Sequence, residues 1–359
     1  MNMSQSTFAS DFHSARELFI DAAEKSGAAV DSFRHPYDGP DGRPLKTDVA
    51  WVGPDNAERV LMTVSATHGV EGFCGSGAQV DWLRRGEATR LPDGTAACLV
   101  HAINPYGFAW VRRVTHENID LNRNWIDFDA GLPKGAGYAE IADLMCPDEW
   151  NDEARKHFDE QVRACIKSKG MKDFVQAVSG GQYTHADGVF FGGTHPSWSR
   201  TTLSAIVRQR LANAESIGVL DYHSGLGPNG YGDIISTEPL SSPAFVRARE
   251  WYGARVSSIG QSVSAAIGGD WISALAGLLA GSTVTGVAIE FGTIGPLQVL
   301  EALVADNWLH RRGVFDSAQA THIKAQLRAA FYTDNDVWRG MVLGQSLVAC
   351  RQAVAGLQT

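Results

Sequence analysis

Apolar residues along the chain recur in two rhythms. Phe12, Ala15, Leu18, Phe19 and Ala22 repeat at helical spacing, with Gly27 placed to end the run, and predict an amphipathic helix over residues 11–26. Short extended runs follow at 29–33 and 49–52, split by the turn-forming DGPDGRP. Residues 59–67 (RVLMTVSAT) and 96–103 are near-continuous apolar runs, as strands buried on both faces produce, and a helical stretch over 75–85 lies between them. Two later runs, 216–222 (SIGVLDY) and 284–291 (VTGVAIEF), read as further buried strands. Residues 127–179 are charged and helix-like, with an amphipathic repeat over 150–169, and predict a helical insertion or covering segment around 127–215. Helices are expected again over 297–308, 318–331 and 337–354. Neither an internal repeat nor a Pro- or Ser-rich linker interrupts the pattern, so the expectation is an α/β fold in one domain over 1–359.

Composition narrows the class. Hydrophobic residues at 44% and charged residues at 20% describe an ordinary globular chain and exclude disordered and low-complexity types. With 31 Lys+Arg against 40 Asp+Glu the net charge is −9, and no basic cluster is placed to track phosphates, which excludes nucleic acid as a partner. Cys74, Cys98, Cys146, Cys165 and Cys350 are odd in number and never spaced as CxxC, against a disulfide framework or a thiolate zinc site. The first residues lack a basic segment followed by an apolar one, and the most apolar stretch, 274–287, is too short and glycine-rich to span a bilayer. A soluble cytoplasmic protein with no membrane partner is expected.

Polar clusters stand where the apolar runs stop: His68 and Glu71 in THGVEG, Asn104 in INPYG, His223 in DYHSG and Glu290 in AIEFG. In open α/β sheets the ligand crevice lies outside the carboxyl ends of the strands, so these residues are expected to converge there. His68, Glu71 and His223 make a two-histidine, one-carboxylate set, the count that leaves a catalytic zinc one open position. Mn²⁺, Co²⁺ and Fe²⁺ accept similar ligands. Glu290 interrupts an apolar strand, where a carboxylate must be paired, solvated at the strand end, or functional. Arg112, Arg113 and Arg123 fall within twelve residues of the segment NPYGFAWVRRVTHENIDLNRNW; each can fork onto a carboxylate or steady an oxyanion, or pair with Glu117, Asp120 and Asp127. His101, inside an apolar run, reads as a core residue, while His116, His185 and His195 are loop residues able to line a pocket.

The combination of HxxE, NP-G, DLNRN, a strand-end His and a strand-end Glu, in order from His68 to Glu290, resembles the zinc carboxypeptidases of the carboxypeptidase A type, with their relatives aspartoacylase and succinylglutamate desuccinylase. The resemblance implies a three-layer α/β/α fold on a mixed, mostly parallel eight-stranded sheet. It implies one Zn²⁺ per chain held by His68, Glu71 and His223, Glu290 as general base and acid, and Asn122 and Arg123 gripping a substrate carboxylate. Arg113, or its neighbour Arg112, would polarise the scissile carbonyl, and a tyrosine closing over substrate would fall between His223 and Glu290, where Tyr231 is the candidate beside Tyr252. The expected activity is hydrolysis of an amide bond next to a free carboxylate, on small peptides or, as the alternative, on an N-acyl amino acid. A non-catalytic metal-binding protein on the same fold is the third reading, against which Glu290 counts. The glycine-rich segments around Tyr183 and after His223 read as tight turns.

Overall fold

The computed structural model describes residues 7–135, 137–258 and 268–359. Its strands are β1 (Ala29–Asp38), β2 (Pro44–Val52), β3 (Arg59–Val64), β4 (Thr95–His101), β5 (Ser216–Gly225), β6 (Gly232–Ser236), β7 (Val256–Ser258) and β8 (Thr283–Gly292). They form one eight-stranded sheet in the order β1-β2-β4-β3-β5-β8-β6-β7. The pairs β3–β4, β3–β5, β5–β8 and β6–β7 are parallel, and β1–β2, β2–β4 and β6–β8 are antiparallel. The sheet is therefore mixed, with a parallel centre.

Alternate residues of the central strands feed opposite faces, as the period of two demands. Val60, Met62, Val64, Ile217 and Val219 join a core with Ile206 and Val207 of helix Trp198–Arg210 and Trp271 and Leu275 of helix Trp271–Leu278. Leu61, Leu220, Tyr222, Val287 and Ile289 pack on the other face with Phe12, Phe19, Phe245, Leu300, Leu327 and Trp338, from the remaining large helices. Three layers result. On this second face helix Gly72–Arg84 lies directly on the strands: a Cβ at Gly75 would sit 2.8 Å from the Ser65 Cβ and 2.9 Å from the Tyr222 Cβ.

The helix expected over 11–26 is Phe12–Lys25, capped by Asp11, whose Oδ1 accepts from the Ser14 N–H at 2.9 Å. The run 59–67 pairs only to Val64, and 96–103 only to His101, because Ala66 (φ +58°) and Ala102 (φ +57°) turn the chain out of the sheet. Left-handed alanine costs about 1–3 kcal/mol and needs local support. It comes from the Asn104 N–H donating to the Ala66 carbonyl at 3.1 Å, the Ala102 N–H to Ser65 Oγ at 3.1 Å, and Thr47 Oγ1 to the Ala102 carbonyl at 2.7 Å. Residues 127–179 hold helices Ala142–Met145, Asp152–Lys169 and Met171–Ser179. Helix Trp198–Arg210 falls within the helical segment expected around 127–215, while strands β6 and β7 and helices Pro243–Tyr252 and Trp271–Leu278 have no counterpart in the sequence reading. Among the described residues, no helix is long and apolar enough to cross a membrane.

Candidate active site

Beyond the Ala66 kink, His68 opens a short 3-10 turn that continues into helix Gly72–Arg84, so His68 and Glu71 stand on successive turns. The Gly69 and Val70 N–H groups donate to the carbonyls of Arg113 and Arg112 at 3.0 and 2.9 Å. Gly69 is required here: a Cβ would fall 2.1 Å from the Gly107 carbonyl carbon. His223 lies on β5, next to β3, and is the register partner of Glu290 on β8. Neighbouring parallel strands thus bring four residues, distant in sequence, to one sheet edge.

His68 Nδ1 lies 3.0 Å from Glu71 Oε1, His223 Nδ1 2.8 Å from Glu71 Oε2, and the two Nδ1 atoms are 3.2 Å apart. All three groups are buried, and their ligand atoms lie within 4.8 Å of one another, so they can hold a metal ion. The outer face of each imidazole meets a carboxylate: His223 Nε2 is 2.7 Å from Asp221 Oδ2, and His68 Nε2 is 3.2 Å from Asp120 Oδ1. Asp221 is fully buried, and accepts also from Trp271 Nε1 at 2.6 Å and Thr67 Oγ1 at 2.8 Å. A hydrogen on His223 Nε2, required by Asp221, leaves Nδ1 as a lone pair facing the Glu71 carboxylate. Two acceptors at 2.8 Å need a cation or a proton between them. This donor chemistry fits a divalent metal.

Burial pushes against the charge on Glu71, but His68 and His223 outweigh it and hold its pKa below the usual carboxylate range. His223 is driven up despite burial, by Asp221 and Glu71. Glu290 moves the opposite way, raised to about 7 by burial and by the charge of Glu71, with His223, the Leu226 N–H and Arg113 opposing. Its Oε1 accepts from the Leu226 N–H at 2.9 Å. Arg113 Nε donates to Asp120 Oδ2 at 2.9 Å, Nη1 to Glu71 Oε1 at 3.2 Å, and Nη2 lies 2.8 Å from His68 Nε2. Burial works against the ionised Asp120, yet Arg113, His68 and Arg123 hold it well below its ordinary value.

His68, Arg113, Asn122, Arg123, His223 and Glu290 line one cavity of about 350 Å³. The rest of its wall is largely apolar: Phe174 and Val178 of helix Met171–Ser179, Leu300 and Leu303 of helix Pro296–Arg312, Ile272 and Phe331.

Residues 8–345 match the model of a family described as "Protein of unknown function (DUF2817)". The chain belongs to this family. No curated protein matches it. Among solved structures, the DUF2817 chain is similar to carboxypeptidase A from Helicoverpa armigera, with 12% identity, a TM-score of 0.48, and coverage of 90% of this chain and 75% of that one. It is also similar to thrombin activatable fibrinolysis inhibitor (13%, TM-score 0.49, 91% and 76%) and to an aspartoacylase family protein from Mesorhizobium loti (17%, TM-score 0.36, 81% and 68%).

Of the two adjacent arginines in this DUF2817 chain, Arg113 faces the His68–Glu71–His223 group. Arg112 turns away, its Nη2 donating to Asn118 Oδ1 at 3.0 Å and its Nε lying 3.5 Å from Asp306 Oδ2. Asn104 does not reach the cavity: its Oδ1 accepts from the Gly107 N–H at 2.9 Å and caps the helix Pro105–Ala109. Asn122, 9% exposed, leaves Oδ1 without a hydrogen-bond partner. Arg123 donates through Nε and Nη2 to the Ser179 carbonyl and through Nη1 to the Asn122 carbonyl at 3.0 Å. Tyr231, 42% exposed, is absent from the lining, and Tyr252 is buried in the core. His116, His185 and His195 lie outside this cavity, while His101 is a core residue stacked on Phe19 with its Nε2 2.9 Å from Ser76 Oγ.

Asp221 and Trp271 escaped the sequence reading. The signal for Asp221 was present: a carboxylate inside SIGVLDYH, two residues before His223 and so on the same face of β5. Trp271 offered none.

Proposed function

We propose that this chain is a metal-dependent hydrolase that cleaves an amide bond next to a free carboxylate, carboxypeptidase-like on small peptides, as one catalytic domain over residues 1–359. The carrying observation is the convergence of His68 Nδ1, Glu71 and His223 Nδ1 beside Glu290 in an apolar-walled cavity. Two imidazoles and one carboxylate suit zinc with one position open. When bound there, the metal supplies Lewis acidity, polarising a carbonyl and making water easier to deprotonate.

The chain's own residues do the remainder. Asp221 and Asp120 orient the two imidazoles. Glu290, balanced near neutrality, takes a proton from water and returns it to the leaving amine. Arg113 steadies charge developing on the carbonyl oxygen. Arg123 keeps two of its five N–H groups after its three bonds to carbonyls, and these, with Asn122, hold the substrate carboxylate. Phe174, Val178 and Leu300 receive an apolar side chain and exclude water.

The test is hydrolysis of acylated dipeptides with apolar C-terminal residues, alongside their C-terminal amides, with metal content measured in parallel. Wild-type protein is expected to cleave the free acids and bind about one zinc per chain. Equal kcat/KM on the amides would remove the carboxylate requirement. Failure to bind metal when zinc is supplied would overturn the reading.

A further inference from the structure

Arg112 lines a second cavity, of about 500 Å³, together with His116, Asn118, Asp187, Arg311 and Arg312. Asp187 is the one carboxylate among its lining residues, and its side chain is 78% exposed and 3.8 Å from Arg311 Nε. Arg312 is paired outward with Asp148 at 2.5 Å. Behind the wall, Asp306 takes its short contact from Lys324 Nζ at 2.5 Å, leaving Arg112 at 3.5 Å. Arg112 Nε, Arg311 Nε and Arg311 Nη1 are buried and make no hydrogen bond, having only the longer approaches of Asp306 and Asp187. Arg112 itself is 4% exposed, and burial lowers its pKa.

Buried polar groups are nearly always hydrogen-bonded, and a buried guanidinium is costly unless paired. The carbonyl end of helix Pro296–Arg312 explains why His310, Arg311 and Arg312 gather there. It does not explain why Arg112, from a different element, joins them in lining one cavity whose single carboxylate, Asp187, is largely exposed. A group with several oxygens and a double negative charge matches a cavity lined by Arg112, Arg311 and Arg312. We propose that this cavity binds a phosphate dianion, free or as the phosphate group of a small monoester. The volume beyond a phosphate leaves room for the ester arm.

The test is calorimetric titration of the full-length protein, as purified, with inorganic phosphate and with glycerol 3-phosphate, at constant ionic strength with chloride as the control. Saturable binding is expected, weakened about tenfold or more by Arg311→Ala, less by Arg311→Lys, and unchanged by His68→Ala. Tighter binding of the monoester or of free phosphate identifies the source of the group. No saturable binding of either overturns the proposal. So does equal binding by Arg311→Ala, or binding lost with His68→Ala and kept with Arg311→Ala, which would put the anion at the metal site. Thermal melting checks that Arg311→Ala folds, and Arg311→Lys decides the matter if it does not.

Discussion

Arg112 and Arg113 are neighbours in the chain, yet each closes a different kind of cavity. Around Arg113, apolar walls enclose charged groups that pair with one another: Glu71 meets His68, His223 and Arg113, while Asp120 meets His68 and Arg113. Around Arg112 the walls are polar, and guanidinium donors outnumber acceptors. In the first cavity ligand lone pairs converge on a point that suits a cation; the second is lined by arginines, as suits an anion. These contrasts lie one residue apart because the two side chains leave the loop in different directions, Arg113 toward Glu71 and Asp120 and Arg112 toward Asn118 and Asp306.

The sharpest way to break this contrast is to remove a member of the proposed metal-binding group. His68→Ala or His223→Ala is expected to reduce bound metal from about one per chain to near zero by elemental analysis, and a chelator should do the same to the wild type. Glu290→Gln should keep its metal and lose turnover by about 10²–10⁴-fold; wild-type rates in that variant would end its assignment as the base. Next comes the arginine pair. Arg113→Ala should lower kcat/KM by about 10²–10³-fold. Arg112→Ala should leave kcat/KM near wild type and cost about 1–3 kcal/mol of stability in urea unfolding. The reverse pattern would exchange their places.

A smaller effect sharpens the picture behind the histidines. Asp221→Asn should weaken metal affinity about 10–100-fold in a competition titration, and unchanged affinity would show that Trp271 and Thr67 suffice to hold the ring. The smallest belongs to neither cavity. Burial pushes His101 down to about 4, opposed by Asp48 and assisted by Arg16. The unfolded chain, titrating near 6.5, then binds the proton first, so this contribution is full above pH 6.5 and is lost as pH falls toward 4. His101→Gln should flatten the loss of stability over that interval, measured by urea unfolding at stepped pH.

The central strands were legible because β3, β4, β5 and β8 are buried on both faces and read as unbroken apolar runs. β6, five residues long, and β7, three, carry too little pattern to be seen, and exist through pairing with β8 and with each other. Helix Trp271–Leu278 overlaps, from residue 274 on, the run considered only for membrane length. His68, Glu71, His223 and Glu290 were legible as polar residues where apolar runs end. The choice between Arg112 and Arg113 was not, because it rests on Asp306 and Lys324, about two hundred residues further along the chain.

The position of β8 also governs when the molecule can assemble during synthesis. Although it sits between β5 and β6, it is the last strand to emerge among the described residues, ending at Gly292. Until then β5 offers the growing chain an open edge rich in Ile217, Val219 and Leu220, the kind of surface that recruits strands from other molecules. Closing that edge and delivering Glu290 to His223 are a single event, so a nascent chain cannot acquire its proposed proton acceptor before the sheet is sealed.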